Sequence, residues 1–137
     1  MYHVLVPVDE NVNRALTQTA CVASFPAAND HVTVTVTHAR ESTGKKLRPI
    51  REVDAVDRAV NVFEREEIPV EVTPCEKPAA DGIVDTAEAL DVDHVVMGFR
   101  KPSPVKEVLF GSTTKAVFRH TNVPVTVTGP GIEHRTA

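Results

Sequence analysis

Two glycine positions near the end of the chain are the residues best placed to do chemistry. Gly98 closes a short apolar run, Val95-Val96-Met97-Gly98, and Gly111-Ser112 opens a helix-like stretch after a loop of 12 residues. A glycine after a strand, followed by Gly-Ser at a helix start, lets backbone amides come against a phosphate. No Cβ blocks the approach, and the first amides of a helix lack intrahelical partners and sit at the positive end of its dipole. The intervening loop holds Arg100, Lys101 and Lys106. Their charges read equally as a solvated loop or as phosphate contacts.

Other chemistry finds less support. The stretch GFRKPS lacks the second glycine before the lysine and puts Pro102 where an amide would be needed, which argues against a Walker-type loop. The six histidines do not fall at metal-ligand spacings, and no HxGH is present. His38 and His120 read as structural, and no nucleophile with an adjacent base is apparent, so neither catalytic nor metal-binding residues are assigned. Cys21 and Cys75 show no CxxC spacing and read as packing thiols in a reducing compartment.

The elements that must hold the glycines alternate in period. Strands are predicted at Tyr2 to Asp9, Val32 to Thr37, from Pro69 through VEVTP, His94 to Gly98, and Val123 to Thr128. Between them fall helices with apolar stripes at Val12, Leu16, Ala20 and Ala23; at Val53, Val56, Val60 and Phe63; and at Ile83, Ala87 and Leu90; a last helix spans roughly Ser112 to Arg119. A polar segment, ARESTGKKLRP, follows the second strand and reads as a loop. Strict β-α alternation implies right-handed crossovers and a mainly parallel sheet covered by helices on both faces. The continuous runs Val4-Leu5-Val6 and Val95-Val96-Met97 belong at its centre, whereas the alternating third and fifth strands belong at its edges. The expectation is a single Rossmann-like α/β domain with five strands in the order 3-2-1-4-5; the Val-Thr alternation of the second strand is atypical for an interior position. In that order a ligand site falls beyond the carboxyl ends of strands one and four, at Asp9 and Gly98.

Composition agrees. The 137 residues are 42% apolar and suit one domain with a real core. With 15 basic against 19 acidic residues and a net charge of −4, there is no electrostatic footprint for nucleic acid. No apolar run reaches a membrane span and the amino terminus runs directly into a strand, so the expectation is a cytoplasmic protein.

On the opening HVLVPVD, the closing VVMG…GSTTKAVFRHTNVPVTV and the alternation between them, the chain resembles the universal stress protein family over residues 1–137. Nucleotide-binding members carry Gly, two residues, Gly, nine residues, then Gly and Ser or Thr. The frame here is intact, but its second glycine is Lys101.

The resemblance implies a stress-response module binding ATP or another adenine nucleotide, with Mg accompanying the phosphates. Pro7, Val8 and Asp9 would line the adenosine pocket, and Ala39 would offer its backbone to the base. Gly98, Gly111, Ser112 and Thr113 would meet the ribose and phosphates, joined by Arg100 and Lys101 from the loop. Asp9 and Ser112 also read as plain helix or turn caps. The resemblance further implies a homodimer through the last strand. A dimeric interaction module that takes no nucleotide, and a slow ATPase or autokinase, stand as the other functional readings.

Overall fold

The computed structural model describes residues 1–39, 49–50, 53–98 and 111–129. Arg100, Lys101 and Lys106, and positions 40 to 48 of the polar loop, lie outside the described residues. The elements run β1 (Tyr2–Val8), α1 (Val12–Ala23), a single turn α2 (Ala28–His31), β2 (Val32–His38), α3 (Asp54–Arg65), β3 (Val70–Val72), α4 (Ala79–Ala89), β4 (His94–Met97), α5 (Ser112–His120) and β5 (Val125–Val127). The five strands pair in parallel in the order β3-β2-β1-β4-β5. The expected order holds, and α2 is an added element.

Because side chains alternate across a strand, the sheet splits the core in two. Val4, Val6, Val8, Val34, Val36 and Val96 face α1 and α3, where Ala15, Val22, Val56, Val60 and Phe63 meet them. Leu5, Val95 and Met97 face the other way, against Ile83, Val84 and Ala87 of α4 and Val117 of α5. The Val-Thr alternation of β2 fits this interior position because its valines take the first face and its threonines the second. Thr35 satisfies its hydroxyl with His3 Nε2 at 2.8 Å.

Both α3 and α4 end in the same way. Glu67 and Asp91 adopt left-handed φ of 60° and 51°, and the next amides, of Ile68 and Val92, return to the carbonyls of Phe63 and Ala87. Each pair brings together two buried apolar residues, the arrangement of a Schellman cap, which fixes how the chain leaves the helix toward β3 and β4.

One expectation is corrected at α1. The predicted apolar face was Val12, Leu16, Ala20 and Ala23; Val12 and Ala23 pack against the core as partly buried residues, but the residues fully buried on α1 are Ala15, Gln18, Thr19 and Val22. The two sets are spaced differently along the helix, and at about 100° per residue their mean directions lie about 100° apart. Apolar periodicity alone does not place Gln18 inward. The carbonyls it meets do.

Candidate functional site

β1 and β4 pair at Val4↔His94 and Leu5↔Val95. Beyond Leu5 the side chain of Gln18 bridges the two strands. Its Nε2 donates to Pro7 O at 2.7 Å and to Val96 O at 3.0 Å, and the residue is 1% exposed. This is the sheet's switch point, where α/β proteins of this topology bind ligands.

Gly98 lies at the mouth of this region, and its lack of a side chain is required by the protein's own packing. A Cβ there would stand 2.8 Å from Gln18 Oε1 and 3.5 Å from Arg14 Cδ. Asp9, at the end of β1, uses both carboxylate oxygens. Oδ1 accepts from the Asn11 amide at 2.8 Å, and Oδ2 accepts from Arg14 Nε at 3.0 Å and Nη2 at 2.7 Å. Asp9 thus makes a turn and an ion pair, while the cap of α1 is Asn11, whose side chain accepts from the Arg14 amide at 2.9 Å. Pro7 and Val8 are buried; the Val8 carbonyl accepts from the Ala39 amide at 2.7 Å, which commits that amide and leaves the Ala39 carbonyl as the backbone group it could offer.

Between β4 and β5, α5 begins with Gly111 as its N-cap, at φ −64° and ψ 165°. The Ser112 alternative is thereby corrected: Ser112 is the first helical residue, not the cap. The first amide to return into the helix is that of Lys115, to Gly111 O at 3.1 Å, so those of Ser112, Thr113 and Thr114 lie ahead of the intrahelical ladder. Among the described residues no side chain caps this end, and its first turn holds no acidic residue. A Cβ on Gly111 would meet no described heavy atom within 4 Å. Unlike Gly98, Gly111 is not demanded by any of the described residues; a glycine at a helix start adds no side chain at the positive end of the helix.

The structure therefore brings Pro7, Val8, Asp9, Ala39 and Gly98 to the carboxyl end of the sheet, with Gly111, Ser112 and Thr113 at the start of the helix leading from β4 to β5. Sequence reasoning missed Gln18 and Arg14. A five-residue offset of opposite charges, Asp9 to Arg14, was a usable signal for one; a polar residue within an otherwise small-residue helix stripe was the signal for the other. It also missed Thr37, which pairs in register with Pro7, is completely buried, and has no partner for its hydroxyl among the described residues. Such an orphan costs about 1–3 kcal/mol.

His38 is half-buried beside Val8, and His120 is exposed in the last turn of α5. Both cysteines are free thiols, and burial raises the pKa of Cys21. Among the described residues no group of three or more His, Cys, Asp or Glu side chains is placed to hold a metal ion, and no helix is long and apolar enough to cross a membrane.

A parallel sheet in the order β3-β2-β1-β4-β5, with helices on both faces and a glycine-led helix between β4 and β5, defines the class of doubly wound α/β domains. Within that class, the chain belongs to the universal stress protein family, whose model matches residues 1–129. A universal stress protein from Archaeoglobus fulgidus is similar at 28% identity and a TM-score of 0.77, covering 94% of this chain and 99% of that one. A structure of the universal stress protein from Archaeoglobus fulgidus in complex with dAMP is similar at 25% identity and 0.73, covering 94% and 98%. An Arabidopsis thaliana family protein with AMP bound shares the fold at 12% identity and 0.68, covering 100% and 97%. No curated protein sequence matches the chain.

Proposed function

We propose that this protein is a regulatory module that binds an adenine nucleotide, ATP or a relative of it, in the crevice between the ends of β1 and β4. The observation that carries the reading is Gly111: an exposed N-cap, with no described atom near its Cβ position, at the head of a helix whose first amides have no side-chain cap among the described residues. The similar Archaeoglobus fulgidus structure in complex with dAMP supports the ligand class. Pro7 and Val8 would bound the nucleoside, Asp9 and the Ala39 carbonyl would meet its polar edge, and Gly98 would keep that approach free of a side chain. The amides and hydroxyls of Ser112 and Thr113 would take the phosphates, together with Arg100 and Lys101. Asp9, the carboxylate of this site, is held by the Asn11 amide and the Arg14 guanidinium, and the reading is of a binding switch.

The deciding experiment is a mass spectrum of ligand released on denaturing the purified protein, followed by calorimetric titration of the emptied protein with AMP and ATP. Recovery of an adenine nucleotide, or saturable binding, is the expected result. Neither being seen would overturn the reading in favour of a dimeric interaction module, the second reading, which Lys101 at the place of a motif glycine favours.

We also propose self-association through β5. Pro124 O accepts from the Val95 amide, and the Thr128 amide donates to Met97 O. Even-numbered residues thus face β4, and Val125 and Val127 turn their backbone groups to the sheet's outer edge. An edge of this kind is completed by a second strand. Val123, Val125 and Val127 themselves pack onto the core layer of α4 and α5, so pairing would rest on backbone and not on a valine face.

A further inference from the structure

Resting on the nucleotide reading above, we infer that Thr37 is a specificity residue of the same site, its hydroxyl hydrogen-bonding the edge of the bound base. Thr37 is fully buried and its Oγ1 has no partner among the described residues. The comparable hydroxyl two residues earlier, Thr35, is satisfied by His3. Thr37 stands next to the last residue of β2, in register with Pro7, on the sheet face that carries α4 and α5.

Its place in the sheet selects the part of the ligand it would meet. In the strand order, β1 lies between β2 and β4, so Thr37 is two strands from the β4 end that leads toward α5. At about 4.8 Å per strand that is about 10 Å, a separation suited to a nucleotide whose phosphate lies at α5 and whose base reaches β2. A hydroxyl both donates and accepts, as an adenine edge with a ring nitrogen beside an amino group requires. A valine would fill the same volume without a polar atom, and β-branched residues suit the strand equally. The hydroxyl is the one feature of Thr37 that packing leaves unexplained.

The test compares wild type, Thr37→Val and Thr37→Ser by calorimetry with AMP, adenosine and ribose 5-phosphate, alongside thermal denaturation without ligand. Thr37→Val is expected to weaken AMP and adenosine by about tenfold each, about 1.4 kcal/mol. It should leave ribose 5-phosphate unchanged and should not lower the melting temperature, while Thr37→Ser should retain wild-type binding. Unchanged AMP affinity in Thr37→Val, or an equal loss for ribose 5-phosphate, would overturn the assignment while leaving the nucleotide reading intact. Wild type that binds none of the three would overturn both.

Discussion

Gln18 and Gly98 occupy one space: a Cβ on Gly98 would lie 2.8 Å from Gln18 Oε1, while the other side of the same amide ties Pro7 O to Val96 O. A glycine that motif matching assigns to the ligand is thus also a packing requirement of the empty fold. Gly111 is the opposite case, and the two glycines make different predictions.

Gly98→Ala should destabilise the protein with no ligand present, by about 1–3 kcal/mol, because the buried Gln18 amide must shift to admit a methyl group. Urea denaturation measures this directly, and an unchanged midpoint would show that α1 gives way freely.

Gln18→Met keeps the volume but removes two hydrogen bonds and leaves two buried carbonyls in want of donors. A loss of about 2–4 kcal/mol is expected. Amide exchange should quicken first where β1 and β4 meet; uniform change across the sheet would argue against a local bridge.

Gly111→Val is expected to separate stability from binding. Its φ of −64° is open to any residue, so the conformational argument for glycine does not apply, and the side chain meets no described atom. The melting temperature should move little, within about 0.5 kcal/mol of wild-type stability, while nucleotide titration in the calorimeter should lose its heat. Equal binding by both proteins would remove α5 from the site.

Self-association through β5 is best tested with Val127→Pro. Proline removes a donor that points to the outer edge and leaves the bonds to β4 in place, so a wild-type dimer should become a monomer that still melts cooperatively. Val127→Lys is the poorer probe, since Val127 packs toward the core. A monomeric wild type at micromolar concentration in sedimentation analysis would dismiss the interface.

His94 couples this region to pH. Its Nδ1 lies 2.9 Å from the Tyr2 hydroxyl and its Nε2 2.7 Å from the Thr126 hydroxyl, and burial lowers its pKa below 6.5. The folded state therefore resists a proton that the unfolded chain accepts near pH 6.5, and stability falls as pH drops from there toward the lower folded value. The ring signal of His94 should titrate below 6.5 in NMR, and His94→Gln should flatten the acid side of the melting profile. Titration above 6.5 would reverse the sign.

The sequence by itself determined the alternation of elements and the strand order. These follow from period and from which apolar runs are continuous, both properties of neighbouring residues along the chain. The stripe of α3, Val56, Val60 and Phe63, was legible for the same reason. Tertiary structure alone decided what each crevice residue does. Gln18 turns inward because two carbonyls from different strands need a donor; Asp9 is bound to Arg14 and Asn11; Thr37 loses its solvent without gaining a partner among the described residues. Such facts depend on which groups remain unsatisfied once β1, β2 and β4 lie side by side, and hydrophobic period carries no record of them. The glycines divide the same way: their spacing was visible at once, but that one answers to a helix and the other meets no described atom depends on what is brought around them.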